Sequence, residues 1–350
     1  MDTEACHEHS CNAEEMLTMD VFKVQEYRDK VRAVVLKNIV KFLKAGFENV
    51  FLGCLEHEYM HQETFIYLLM QVDPSSLLYP FKESDRKEEI CNELIYKQEW
   101  IRFPITKFMM GADKKDKTFK WDNEYLAHEV LVEEFEISNL PVLNSEYLKF
   151  IENGGYEKEE YWTSEDWDWL CKNQIKNPVL WRKSRDEWEI RTLFKWVELK
   201  KMSNHPVLLS YAEAAAYAKS VGARLPTEAE WRCAVFQYSQ GKISQEVYES
   251  GNIDINLEIA NTTVPSGITI KKLVDVLGNG WEWTRTVFEG YPGFEKMVNY
   301  PGYSADFFDG KHHVIMGGSW ATPEELIRPT FRNWYQRHYR YMFTKMRLVR

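Results

Sequence analysis

The run Leu277-Gly278-Asn279-Gly280-Trp281-Glu282-Trp283-Thr284, with Gly317-Gly318-Ser319-Trp320 beyond it, sets the character of the C-terminal part of the chain. From Leu277 to Arg350 the residues Gly, Trp, Tyr and Arg are dense, and no helical period persists. Glycine enters positive φ without a steric penalty, so such a stretch builds tight turns between large aromatic side chains. It predicts an irregular, aromatic-lined domain, unlike a regular sheet or helical bundle.

Upstream, Gly222–Trp231 (GARLPTEAEW) places Thr227 and Glu230 at capping-box spacing, which predicts a helix opening there. Tyr211–Ser220 reads as an Ala-rich helix capped by Ser210 and stopped by Gly222. Asn144–Asn153 reads as a short helix, and Trp100–Pro104, Phe108–Gly111 and Leu131–Ile137 read as strands. Two longer amphipathic helices precede these. Val24, Tyr27, Val31, Val34, Val35, Ile39 and Phe42 recur at helical steps over Val21–Phe47, and Leu52, Leu55, Tyr59, Phe65, Leu68 and Leu69 do so from Asn49 to Gln71. Asp73-Pro74-Ser75-Ser76 then breaks the second helix. Two antiparallel helices are half of a four-helix bundle, and alone they leave one face uncovered.

The expected organisation is a disordered N-terminus over 1–18, a partial helical bundle over 19–80, a charged linker over 81–98 and the aromatic domain over 99–350. The class is α+β, with no internal repeat. At 350 residues with 44% hydrophobic side chains and 13 Trp, the chain can bury a large core. A formal charge of -10 argues against nucleic-acid and anionic-membrane partners, which need clustered cations. No apolar run is long enough to span a bilayer, and the acidic start Met1-Asp2-Thr3-Glu4 is no secretory signal. Six scattered cysteines fit reduced thiols in a cytoplasmic protein. The tract Cys6, His7, His9, Cys11 reads either as a metal site or as a frayed chain end.

Two constellations carry chemistry. His57 and His61 in His57-Glu58-Tyr59-Met60-His61-Gln62-Glu63 stand at i and i+4, one turn apart on one helix face, where two imidazoles can hold one cation. The alternative is a pair of surface histidines. The spelling HExxH also belongs to zinc proteases, but no downstream ligand is recognisable. Glu63 either supports a metal ligand or points to solvent. Arg328, Arg332, Asn333, Trp334 and Tyr335 combine polar groups with aromatics and read either as core or as a cleft for a zwitterionic ligand. A guanidinium there would grip a carboxylate, and a ring face would meet a quaternary ammonium. Arg224, Trp231, Asn279, Trp281, Glu282 and Trp283 read as fold determinants.

GARLPTEAEW, GNGWEWT and GGSW resemble the signature runs of the formylglycine-generating-enzyme, or sulfatase-modifying-factor, domain, whose fold is C-type-lectin-like. The resemblance covers roughly Trp100 to Arg350. Formylglycine generation itself is not implied, because that activity uses a cysteine pair near the C-terminus and the last cysteine here is Cys233. HEYMHQE resembles the HExxHQE helix of a DinB-like bundle. Together the two parts are similar to non-haem iron sulfoxide synthases of thiol-histidine biosynthesis. Tyr291–Phe294, Tyr300–His312 and Thr330–Gln336 look like the ergothioneine branch.

The resemblance implies an Fe(II) cofactor on three histidines, with His57 and His61 as two of them. The implied substrates are O2, hercynine (the trimethylated histidine betaine) and a thiol, cysteine or γ-glutamylcysteine, joined through a C–S bond as a sulfoxide. Tyr291 is the implied catalytic hydroxyl. Asn333 and Trp334, with Arg332 and Tyr335, are the implied substrate-binding residues. Met60 stands where some relatives carry a polar residue facing the histidine substrate. The family's first histidine belongs to an earlier helix with no counterpart in this sequence, and the arginines that grip the thiol are associated with that same region. His7 or His9, or a partner chain supplying the remaining bundle helices, are the expected substitutes. Ovothiol-type 5-histidylcysteine sulfoxide synthesis and a truncated, non-catalytic binding protein are the competing readings.

Overall fold

The computed structural model describes residues 20–78, 93–94, 97–236, 262–263, 265 and 273–350. The expectations for 1–18, and most of those for the linker, therefore fall outside the described residues. Helix α1 (Val21–Lys44) starts on Asp20, whose carboxylate accepts the Phe22 N–H at 3.0 Å, and ends at Gly46 with φ of 84°. None of its 24 residues is buried, and Val24, Tyr27, Val31 and Val34 of its apolar stripe are exposed. Helix α2 (Glu48–Leu69) differs, because Glu63, Ile66 and Tyr67 are buried against the remainder of the chain. Asp73 then caps a short 3-10 turn, Pro74–Ser76. None of the described helices is long and apolar enough to cross a membrane.

Strand β1 (Trp100–Phe103) pairs antiparallel with β4 (Phe135–Ser138), and β2 (Thr106–Met110) with β3 (His128–Val132). Leu131–Ile137, expected as one strand, is thus two, broken at the exposed Glu133 and Glu134. Helices α3 (Asn144–Glu152) and α4 (Ser164–Lys172) lead to a three-stranded sheet of β5 (Trp181–Ser184), β6 (Glu187–Arg191) and β7 (Trp196–Glu198). Helix α5 (Tyr211–Ser220) has the Ser210/Glu213 capping box, and α6 (Glu228–Phe236) opens on reciprocal bonds between Thr227 and Glu230.

The C-terminal part is more regular than its composition predicts. Strand β8 (Trp281–Val287) lies between β11 (Thr344–Lys345) and β9 (His312–Met316), with β10 (Asn333–Gln336) on the far side of β9. Composition hid this sheet because Trp281, Glu282, Trp283 and Thr284 are all buried in succession, so no two-residue alternation marks the strand. The turns expected from glycine are present. Asn279 sits at φ 63°, and at Gly317, φ 95°, a Cβ would lie 2.5 Å from the Val276 carbonyl oxygen.

Trp121, Trp231, Trp281, Trp283 and Trp320 are each at most 2% exposed and fill the core. Charged groups inside it are paired. Glu282 accepts from Trp231 Nε1 at 2.7 Å and from Arg347 Nη2 at 2.7 Å, while Arg347 also donates to the carbonyls of Ser138, Asn139 and Val274. Lys345 pairs with Asp275 at 3.0 Å. Buried charge without such partners would cost several kcal/mol per ion on the order expected from desolvation.

Candidate active site

The site forms where α2 lies against the C-terminal domain. At 100° per residue, positions 56, 63 and 67 fall on one helix face. Glu56 accepts from Trp121 Nε1 at 2.8 Å and from Arg328 at 2.8 and 3.0 Å, and Arg328 also holds Glu124. Glu63, 3% exposed, accepts from Trp281 Nε1 at 2.9 Å, Ser319 Oγ at 2.6 Å and Thr322 Oγ1 at 2.8 Å. Tyr67 and Tyr335 share a hydroxyl–hydroxyl bond at 2.7 Å. These contacts fix the rotation of α2. Glu63 is therefore neither solvent-facing nor beside the histidine rings; it fastens their helix to the Gly317–Trp320 turn.

His57 and His61 lie 100° to 140° round the helix from that face, so docking turns both into a cleft of about 610 Å³. Their ring centroids are 4.4 Å apart; His57 is half-buried and His61 exposed. Burial, then the neighbouring His61, pushes the His57 pKa below its ordinary value and favours the neutral ring that a metal requires. Opposite stand Tyr300, Tyr303, Phe307, Asn333, Trp334 and Tyr335. The Tyr300 ring is 5.7 Å from His57, and the Tyr303 hydroxyl donates to Met60 Sδ at 3.5 Å. Trp334 stacks on Phe288 at 4.0 Å, and its buried Nε1 has no hydrogen-bond partner among the described residues. Asn333 Oδ1 accepts the Trp334 N–H at 2.8 Å. Among the described residues no lysine or arginine lines this cleft; Glu58 and Glu63 are the acidic residues on its wall, the carboxylate of Glu63 being taken by Trp281, Ser319 and Thr322.

Three residues singled out in the sequence lie elsewhere. Tyr291 is buried, and its hydroxyl donates to Glu228 Oε1 at 2.6 Å, away from the histidine cleft. Arg332, 2% exposed, donates to Glu228 and to the carbonyls of Asn123 and Glu289 and lies over the Tyr291 ring. It is a core cation whose charge is already answered by a buried carboxylate, so it does not reach the cleft. Burial raises the Glu228 pKa, but Arg332, Arg232 and the Tyr291 hydroxyl outweigh it and hold that carboxyl at about 2. Arg328 is likewise spent on Glu56 and Glu124. Tyr300 and Tyr303, which line the histidine cleft, belong to the Tyr300–His312 run that the sequence offered only as a resemblance.

A fit for metal is met in part. Two imidazoles at this separation suit two adjacent positions on one divalent ion. Among the described residues no group of three His, Cys, Asp or Glu surrounds them, and His7 and His9 fall outside the description. Of the described cysteines, Cys54 and Cys171 are free, exposed thiols and Cys233 is buried in the core.

Residues 92–350 match the sulfatase-modifying factor enzyme 1-like domain. A hercynine oxygenase of Mycobacterium tuberculosis is 31% identical over 98% of this chain and 81% of its own length. Ergothioneine biosynthesis protein 1 of Schizosaccharomyces pombe is 28% identical over 100% of this chain and 46% of its own, so the chain spans about half of that relative. A formylglycine-generating enzyme of Bos taurus is 26% identical over 63% of this chain. The chain therefore belongs to the sulfatase-modifying factor enzyme 1-like family, as an oxidoreductase of the branch that holds the hercynine oxygenases.

Proposed function

We propose that the chain is an iron(II)- and O2-dependent sulfoxide synthase of ergothioneine biosynthesis, joining hercynine to cysteine or γ-glutamylcysteine through a C–S bond. The observation that carries this reading is the cleft, with two imidazoles on one wall, aromatic rings on the other and, among the described residues, no lysine or arginine between. Such a lining repels nothing from a trimethylammonium and attracts it through ring faces, at about 0.5 to 2 kcal/mol per good contact. Trp334, Phe307 and Tyr303 supply those faces. Asn333, whose Oδ1 is taken by the Trp334 N–H, supplies its amide N–H as a donor for the zwitterion's carboxylate.

His57 and His61 would hold the iron, and bound iron supplies the O2 redox chemistry that side chains lack. Around it the chain's own residues bind, orient and deliver protons. The Tyr300 hydroxyl is the candidate proton donor, on the strength of its ring's contact with His57; Tyr291, committed to Glu228, is not. Glu63 keeps the imidazoles aimed by fixing their helix. The M. tuberculosis relative's name supports hercynine as the substrate.

The test is the purified chain with Fe(II), O2, hercynine and either thiol, followed by mass spectrometry. A sulfoxide carrying both substrate skeletons is expected, with loss on His57→Ala/His61→Ala. Turnover of unmethylated histidine in place of hercynine would assign the ovothiol-type reaction. No product from any pair would overturn the catalytic reading.

A further inference from the structure

Two tyrosines that line the histidine cleft, Tyr67 and Tyr335, begin a row of four in ring contact. Their centroids are 6.5 Å apart and their hydroxyls 2.7 Å apart. The Tyr335 ring stacks on Tyr339 at 5.2 Å, and Tyr339 meets Tyr341 at 6.0 Å. Tyr67 and Tyr335 are buried, whereas Tyr339 and Tyr341 are partly exposed. The row therefore runs from the cleft to the protein surface. Packing alone does not call for four phenols, since phenylalanine fills nearly the same volume with no hydroxyl to satisfy. The hydroxyls at the inner end are ordered. Thr64 Oγ1 donates its one hydrogen to the Met60 carbonyl at 2.9 Å, so it accepts from Tyr67 at 3.2 Å, and Tyr67 in turn accepts from Tyr335. Burial lifts the phenols of Tyr67, Tyr335 and Tyr339 above their ordinary pKa, so each stays protonated and is oxidised by giving up proton and electron together.

We propose that Tyr67, Tyr335, Tyr339 and Tyr341 form a hydrogen-atom relay that carries an unused oxidising equivalent from the cleft to the surface, where a solution thiol quenches it. The proposal rests on the O2-dependent reading above. When O2 is reduced in the cleft with no substrate to take up the oxidation, the oxygen-derived oxidant takes a hydrogen atom from the Tyr67 hydroxyl and is reduced by one electron. The Tyr67 O–H bond is remade with the hydrogen of Tyr335, that of Tyr335 with the hydrogen of Tyr339, and that of Tyr339 with the hydrogen of Tyr341. Tyr341 then takes a hydrogen atom from a thiol, and two thiyl radicals couple to a disulfide. Each exchange breaks one O–H bond and forms another, so no tyrosine is consumed. The relay spares His57 and His61, which share the cleft with that oxidant.

The first test keeps metal out. In the metal-free 350-residue chain, Tyr67→aminotyrosine places an easily oxidised phenol at the inner end of the row, where only 2% of the side chain's residue is exposed. A bulky ruthenium tris-bipyridine photo-oxidant in solution then oxidises tyrosine at the surface. An aminotyrosyl radical in electron paramagnetic resonance is expected, with loss of the signal when Tyr339→Phe or Tyr341→Phe is added. No radical in the trap-bearing chain, or an undiminished one after Tyr339→Phe, would overturn the relay. In the iron-loaded chain given O2 and a thiol but no hercynine, Tyr339→Phe should move oxidative damage, mapped by peptide mass spectrometry, from Tyr341 to Tyr67, Tyr335 and the histidines. Equal oxidation of Tyr341 in parent and variant would also overturn it. If the trapped radical depends on Tyr339 while no substrate pair gives product, the hydrogen-atom path stands and the catalytic reading falls.

Discussion

Glu63 is the residue on which the geometry of the histidine pair depends, and removing it has a calculable cost. Its carboxylate answers three buried donors, Trp281 Nε1, Ser319 Oγ and Thr322 Oγ1. A buried donor left unanswered costs roughly 1 to 3 kcal/mol. The two hydroxyls can partly answer one another, since Thr322 Oγ1 already lies 3.2 Å from Ser319 Oγ. The indole N–H cannot re-aim. Glu63→Ala should therefore weaken α2 docking by roughly 3 to 5 kcal/mol, with part of that from the vacated volume. Glu63→Gln keeps an acceptor for Trp281 and Ser319 and loses only the Thr322 donation, about 1 kcal/mol. Burial also raises the Glu63 pKa, so a neutral side chain is tolerated there. Hydrogen exchange over Glu48–Leu69, with metal affinity alongside, is the assay. Fast exchange of α2 in Glu63→Ala, near-parent exchange in Glu63→Gln and slow exchange in β8 and β9 of both are expected. Parent-like exchange in Glu63→Ala, or equal damage from both variants, would refute the reasoning.

Glu228 has its folded pKa at about 2 against 4.5, so between those values the folded state binds fewer protons than the unfolded state. Stability is fully present above pH 4.5 and is lost as pH falls toward 2, by about 3 kcal/mol for the 2.5-unit difference. Acid unfolding curves should show this limb, and Glu228→Gln should flatten it while lowering stability at pH 7. Trp334→Leu should weaken hercynine binding by about 0.5 to 2 kcal/mol and leave unmethylated histidine nearly unaffected, as calorimetry would read. An equal loss for both ligands would place Trp334 in the core alone. Tyr300→Phe should lower turnover with hercynine affinity unchanged, whereas Tyr291→Phe should lower thermal stability first, because it strips a partner from Glu228; the reverse pattern would restore Tyr291 as the proton donor.

How far the sequence was readable depended on how one-sided each element's burial is. The α1 and α2 helices and α5 show one apolar face or clear caps, and their bounds follow from periodicity, Ser210 and the positive-φ Gly46 and Gly222. The β5–β6–β7 sheet carried no turn signal, because Arg185 and Asp186 take φ of 49° and 72° without a glycine at the hairpin. Strand β8 was hidden by being buried on both faces.

At the site, Tyr291-Pro292-Gly293 and Tyr300-Pro301-Gly302 are the same tripeptide, so local sequence could not choose between the two hydroxyls. Only the fold sends one to Glu228 and the other to His57. Arg332 was grouped with Asn333 and Trp334 by adjacency, yet its guanidinium is taken by Glu228 and by the Asn123 and Glu289 carbonyls, partners far away in the sequence.

Anaerobic titration of Fe(II) into the 350-residue chain, beside His57→Ala/His61→Ala, tests the central claim that this cleft is a metal-dependent catalytic centre. One equivalent bound in the cleft and lost in the double variant is the predicted result. Iron that does not bind, or that binds both chains alike, would contradict it.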